Sequence, residues 1–191
     1  PMESNWELLL RDLGVSPAEL LRRAGLPDDL LNRSEVRLTT DQYFRLWESL
    51  EAAVDDPLFP IRLGETISTE MFQPAMFAAL CSPDFATAAE RISRFKRLVA
   101  PMELDVRESD EALVLGFSWR DVTAEPPQSL VVSELVFFVQ LARIATRERV
   151  EPLKVETPVP PEPAVSFEEF FGVAVDEGEG HLLAFSSDDA D

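Results

Sequence analysis

Reactive side chains are scarce in this chain of 191 residues, which contains one cysteine, Cys81, and one histidine, His181. A single cysteine cannot form an internal disulfide, and one residue of each kind cannot build a zinc site of ordinary spacing. Any Ser-His-Asp arrangement would have to use His181. The many carboxylates leave acid–base catalysis as an alternative, but such residues more often form a solvated surface. We expect no bound metal and no enzymatic activity.

Glycine and long apolar runs are also scarce. The seven glycines are scattered and form neither a phosphate-binding loop nor a dinucleotide-binding fingerprint, so we expect no cofactor. The longest apolar stretch, residues 130–145, is interrupted by polar side chains and predicts a buried helix instead of a membrane span. The first four residues are polar and acidic and do not resemble a signal peptide. We therefore expect a cytoplasmic protein that does not contact a membrane.

Positive charge is in deficit, and the imbalance is concentrated at the end of the chain. Lysine and arginine number 17 against 36 acidic residues, which gives a net charge of −19. Residues 151–191 alone hold eleven acids and one base, Lys154, for a local charge of −10. Such a segment repels a nucleic-acid duplex. If the protein regulates genes, these residues do not touch the DNA.

The first hundred residues have the periodicity of helices. Ser16 to Glu19 resembles a capping box with proline at the first helical position. A longer helix begins near Thr39 or Thr40, a small-residue helical stretch covers residues 71–80, and a further helix starts after Asp84. This part is predicted to be mostly helical.

Strand-like alternation appears after residue 100. Residues 102–106 and 113–119 predict a β-hairpin, and the apolar helix at about 129–149 follows it. We expect a further strand at 153–156, a short helix at 167–171, and a second hairpin from 173–176 and 182–185. The prediction is one α+β domain over residues 1–191, with a small, mainly antiparallel sheet of about five strands packed with helices.

Two features could bind a small molecule. Aromatic and methionine side chains with few polar groups suit a pocket for a partly apolar ligand, although at this spacing such residues are more often plain core. Glu134 lies on an apolar helix face, where a carboxylate is costly unless it is paired. It could hold a ligand's polar group or form an ion pair with an arginine such as Arg94 or Arg143. The candidate ligand-binding residues are Phe72, Phe77, Phe95, Trp119, Glu134 and Phe138.

Six segments of the sequence form a recognisable set: LPDDLL at 26–31, LTTDQYFRLW at 38–47, DPLFPIRLGE at 56–65, CSPDFATAAER at 81–91, FFGVAV at 170–175 and LLAF at 182–185. Through these segments the chain resembles the N-terminal effector-binding and dimerisation domain, of arabinose-binding type, of AraC/XylS-family transcriptional regulators. The segments are loose patterns of apolar, proline and glycine positions over most of the chain. They identify a type of domain and not a ligand.

This resemblance implies a homodimeric bacterial domain that binds a small-molecule effector and controls a C-terminal pair of helix-turn-helix units. Those units would contact DNA and are absent from this chain. The arabinose regulator itself uses a jelly-roll barrel, whereas too few strands are predicted here for that fold. We therefore do not transfer its sugar pocket. The alternatives are a ligand-free dimerisation module signalled by a protein partner, and a small enzyme.

Overall fold

The computed structural model describes residues 10–11, 13–33, 38–65 and 81–190. Among these residues, every regular element before residue 100 is a helix: α1 (Pro17–Arg23), a short 3-10 helix (Leu30–Asn32), α2 (Thr40–Val54), α3 (Phe59–Glu65) and α4 (Phe85–Val99). The elements that follow are β1 (Met102–Glu108), β2 (Ala112–Trp119), α5 (Gln128–Thr146), β3 (Lys154–Thr157), α6 (Ala164–Phe171), β4 (Val175–Glu177), β5 (His181–Ser186) and α7 (Ser187–Ala190).

Side-chain caps determine where two of the helices begin. Thr39 and Gln42 form a reciprocal capping box at the start of α2, because the Thr39 hydroxyl accepts from Gln42 N at 3.2 Å and the Gln42 amide accepts from Thr39 N at 2.9 Å. Asp84 caps α4 by accepting from Thr87 N at 2.6 Å. The capping box predicted at Ser16 is wrong: α1 does begin with a proline, but the Ser16 side chain makes no capping hydrogen bond.

The five strands form one open sheet in the order β1-β2-β5-β3-β4. All pairings are antiparallel except that of β3 with β4. The predicted hairpin at 102–119 and the α+β fold class, without a closed barrel, are confirmed.

The second predicted hairpin is wrong. The strand β4 pairs in parallel with β3, with Val155 opposite Val175, while β5 lies between β2 and β3. Burial explains the difference: Leu183 and Phe185 of β5 are fully buried, whereas β4 is a mostly exposed edge strand. A central position for β5 therefore removes more apolar surface from water than an edge hairpin would.

One face of the sheet packs against α4 and α5 to form the main core. Leu113, Leu115 and Phe117 alternate along β2 on this face, and Phe117 meets Phe138 of α5 with ring centroids 5.3 Å apart. On the α4 side, Phe85 meets Phe185 of β5 at 5.1 Å. We call the buried apolar residues between the sheet, α4 and α5 the sheet cluster.

A second apolar cluster, the helical cluster, joins α1, α2 and the start of α3. It contains Leu20, Trp47, Leu50 and Phe59, and it reaches α5 through Leu130. Helix α5 therefore contributes to both clusters. By length and composition α5 could cross a membrane, but 67% of its apolar window is buried inside the protein, as in the core helix of a globular domain.

Candidate functional site

Trp119, at the end of β2, lies where the two clusters meet. Its side chain is half-buried and packs against residues of both the sheet cluster and the helical cluster. Its ring system forms a T-shaped pair with His181 of β5, with centroids 5.3 Å apart and ring planes at 89°. The strand alternation that buries Leu115 and Phe117 also turns Trp119 towards the core face.

The first turns of α5 form the boundary between the clusters. Leu130 belongs to the helical cluster, whereas Val131 and Val132 belong to the sheet cluster. Ser133 and Glu134 follow within one turn, and each is only 7% exposed. Two polar side chains are thus buried in the most apolar helix of the protein.

Glu134 forms an ion pair with Lys96 of α4. Lys96 Nζ lies 2.7 Å from Glu134 Oε1 and 2.5 Å from Oε2, so one ammonium group bridges both carboxylate oxygens. The side chains of Lys96 and Glu134 are 15% and 9% exposed. Lys96 Nζ also lies 4.6 Å from the centroid of the Phe137 ring, a cation–π contact. This pairing meets the requirement that a buried charge be compensated.

Tyr43 of α2 packs against the helical cluster, and its phenol is influenced by the charge of Glu134. Burial raises the pKa of the Tyr43 phenol well above its ordinary value, and the negative charge of Glu134 raises it further. The phenol therefore stays protonated over the whole physiological range and keeps its O–H as a hydrogen-bond donor.

Two buried polar atoms, one on β2 and one on α5, lack partners. Among the residues that the structure describes, neither Trp119 Nε1 nor Ser133 Oγ forms a hydrogen bond. A buried donor without a partner costs about 1–3 kcal/mol. We refer to Tyr43, Lys96, Trp119, Ser133 and Glu134 together as the junction site.

His181 extends the junction site towards the sheet. Its Nδ1 lies 3.0 Å from Thr157 Oγ1, and Thr157 is itself buried. Burial lowers the pKa of the His181 imidazole below its ordinary value, while Glu125 acts weakly in the opposite direction. The ring is therefore neutral near pH 7, and it packs as an uncharged group against Trp119.

A metal centre finds no support in the described ranges of the chain, where no three histidine, cysteine or carboxylate side chains are grouped closely enough to hold an ion. Trp119 and Ser133 instead supply an indole N–H and a hydroxyl, groups that can form hydrogen bonds but have no partner among the described residues.

Comparison with known proteins identifies the family of the chain. The sequence model for the arabinose-binding domain of AraC transcription regulators, the N-terminal domain, matches residues 14–191. The chain belongs to this family. The domain described above is thus a regulatory domain, and its family consists of the effector-binding domains of AraC-type regulators.

A solved structure shares the fold of this AraC-type domain. It is the transcriptional regulator CdpR from Pseudomonas aeruginosa, with a TM-score of 0.54 and 18% sequence identity. The match covers 96% of this chain and 56% of the CdpR chain, so the AraC-type domain spans a little over half of that regulator. No protein with a curated function matches the chain significantly.

The structure places the residues predicted from the sequence in different parts of the core. Trp119 lies where the two clusters meet, Glu134 of α5 is paired with Lys96, and Phe138 is fully buried in the sheet cluster. Phe95 is half-buried on α4 and belongs to neither cluster of described residues. Phe72 and Phe77 lie outside the described residues.

The ion-pair interpretation of Glu134 had the wrong partners. Arg143 donates to the carbonyl oxygens of Val150 and Phe170, and Arg94 pairs with Glu90. The partner is Lys96, which follows Ile92 by four residues and Ala89 by seven, so it lies on the apolar face of α4. A lysine on the apolar face of a helix could therefore have been recognised in the sequence as a candidate partner for Glu134.

Proposed function

We propose that this chain is the sensing domain of an AraC-type transcription regulator and that it binds a small, partly apolar effector at the junction site. The observation that carries this proposal is the pair of unpartnered buried polar atoms, Trp119 Nε1 and Ser133 Oγ, together with the compensated buried charge of Glu134. The indole N–H only donates, so it selects an acceptor oxygen or nitrogen on the ligand. The surrounding rings would contact the apolar part.

Effector binding at this position would act on both halves of the core. Trp119 and the first turns of α5 contact the helical cluster and the sheet cluster, so a molecule bound among them can favour one relative arrangement of the two. An effector switches a regulator only if it binds two conformations unequally, typically by about 1–3 kcal/mol. We propose that α5 and the strand end at Trp119 form the element that responds.

We propose that DNA is contacted by a C-terminal helix-turn-helix domain outside this chain and that the whole regulator is bacterial and cytoplasmic. The charge of −19 supports this division, because an acidic sensing domain neither attracts nor needs to attract a duplex. Because the chain belongs to a family of regulatory domains, we propose that it binds a ligand and does not catalyse a reaction.

We also propose that the domain forms a homodimer. Three large apolar side chains in the last third of the chain are more than half exposed: Leu153, Val159 and Val165. We propose that these side chains contribute to one self-association surface, since a contiguous exposed apolar patch marks an interaction site. A Val165→Glu substitution is expected to shift sedimentation-velocity profiles from dimer to monomer, whereas Val122→Glu, at a comparably exposed site elsewhere, is not.

The effector hypothesis is tested by thermal denaturation against sugars, amino acids and fatty acids. We expect stabilisation by compounds that join an acceptor group to an apolar body. Ser133→Ala and Trp119→Phe should reduce it, whereas Ser118→Ala, an exposed position on β2, should not. Stabilisation by sugars alone would overturn the partly apolar ligand. The absence of stabilisation by any class would favour a ligand-free dimerisation module.

A further inference from the structure

A cleft separate from the junction site lies between the end of α2, the start of α3, the first turn of α5 and the loop before α6. Its volume is about 250 Å³, slightly below the usual range for drug-sized ligands. Its floor is apolar and consists of buried side chains that include Phe59, Val132 and Phe167. A small organic molecule fits these dimensions.

The rim of the cleft carries four carboxylates. Glu51, Asp55, Asp56 and Glu162 line it, and no lysine, arginine or histidine stands among its described lining residues. Asp56 is paired with Arg62 at 2.9 Å, and Glu162 accepts from Ala164 N at 2.9 Å.

The two remaining carboxylates are available to a ligand. Glu51 and Asp55 are exposed, and within the described chain neither side-chain carboxylate has a hydrogen-bond or ion-pair partner. The potential at the rim is therefore negative, and it is reinforced by the net charge of the whole chain.

An independent observation in the floor also points to a ligand. Ser129, on the first turn of α5, lines the cleft and is 6% exposed, and its Oγ has no hydrogen-bond partner in the part of the chain that the structure describes. A buried hydroxyl in a cleft wall is costly unless something in the cleft pairs with it. The hydroxyl can accept a hydrogen bond from a ligand that reaches the floor.

We propose that this cleft binds a small organic cation, a primary ammonium or guanidinium group attached to an apolar body. The cationic group pairs with Glu51 and Asp55 at the rim, one of its N–H groups or a neighbouring polar group bonds to Ser129, and the apolar body covers Phe59 and Phe167. A divalent metal ion fits less well, because no three carboxylates among the described residues come close enough to coordinate one.

This proposal does not depend on the function proposed for the junction site, since the two sites share no residue. Ser129 and Ser133 nevertheless lie one turn apart on α5, so a cation in the cleft would contact the same helix as an effector at the junction site.

The experiment uses phenethylammonium as the probe and 2-phenylethanol as its neutral counterpart, each titrated into the 191-residue chain by isothermal calorimetry and by NMR. We expect saturable binding of the ammonium and much weaker binding of the alcohol. Glu51→Gln combined with Asp55→Asn should weaken ammonium binding by about tenfold, since two exposed ion pairs are removed. Ser129→Ala should weaken it by a smaller factor and leave the chain folded.

A charge-matched control separates a site from general attraction. Glu108→Gln combined with Asp110→Asn removes the same charge at exposed positions on and after β1, away from the cleft, and should leave the affinity unchanged. Equal weakening by both double variants, or equal binding of ammonium and alcohol, would overturn the proposal. So would the absence of saturable ammonium binding up to about 10 mM.

Discussion

Lys96 Nζ bridges both carboxylate oxygens of Glu134, at 2.7 and 2.5 Å, and so joins α4 to α5 inside the protein. Both side chains are largely removed from water. Removing both charges from water opposes their attraction, so the pair need not raise net stability. Removing only one partner is expected to destabilise the fold, because the remaining charge stays buried without compensation.

Glu134→Leu is therefore expected to destabilise the fold by about 3–5 kcal/mol, whereas Lys96→Met with Glu134→Leu should be close to neutral or stabilising. Urea denaturation of the two variants and the parent measures the difference. Glu19→Leu, which breaks the exposed pair of Glu19 with Arg23, serves as control and should have a much smaller effect. A single variant as stable as the parent would show that the buried pair is not formed.

Ser133→Ala is expected to leave the free energy of unfolding unchanged or to raise it slightly. Its hydroxyl is buried without a partner among the described residues, so its removal relieves a desolvation cost of about 1–3 kcal/mol at most. The matched change is Thr40→Val, because Thr40 Oγ1 donates to Arg120 O at 2.7 Å. That variant should lose about 0.5–1.5 kcal/mol. Equal losses in the two variants would contradict an unpartnered Ser133.

The stability of the domain should depend on His181 at mildly acidic pH. Because burial depresses the pKa of folded His181, the unfolded chain takes up a proton first as the pH falls below about 6.5. This contribution to stability is fully present above that pH and is lost as the pH falls towards the folded pKa.

NMR provides the direct check, since the chain has one histidine and its ring signals need no assignment. The titration midpoint should lie below the ordinary value of 6.5. His181→Gln should flatten the fall in unfolding free energy between about pH 7 and pH 5.5. A midpoint at or above the ordinary value would contradict the burial of the ring.

Gly64 permits the close approach of α3 to α5. A Cβ atom at this position would lie 2.2 Å from Val136 Cγ1, so Gly64→Ala forces the helices apart and should cost about 1–3 kcal/mol. Val136→Ala in the same chain should recover part of the loss. Gly180→Ala is the control, because a Cβ there meets nothing within 4 Å. Chemical denaturation of the three variants measures these differences in unfolding free energy. Equal stability of the Gly64→Ala and Gly180→Ala variants would refute the close contact of Gly64 with Val136.

Much of the fold could be predicted from the sequence because local signals determine it. The period-two pattern at 102–119 gives the β1–β2 hairpin, and Gly172, with a φ of 85° at the end of α6, stops that helix as expected of a left-handed cap. The neighbours of β5 could not be predicted. Its pairing depends on which strand buries Leu183 and Phe185 best, and this is decided by contacts distant in sequence.

Only part of the candidate site could be predicted, because contacts between residues distant in sequence also determine the rest of it. Glu134 could be recognised as a buried charge from its own helix, but its partner lies 38 residues away on another helix. Ser133 gave no signal, since serine occurs commonly on buried and exposed faces alike. The carboxylates of the cleft are brought together from the end of α2 and the loop before α6, more than a hundred residues apart.

The claim that this domain senses an effector as a dimer is tested most directly by native mass spectrometry of the purified chain, compared with its Ser133→Ala and Trp119→Phe variants. We predict a dimer of the parent that retains the mass of a small molecule, after purification or after addition of a compound that raised its melting temperature. The variants should remain dimeric and lose that mass. A bare monomer, or a bound mass unaffected by either substitution, would contradict the account.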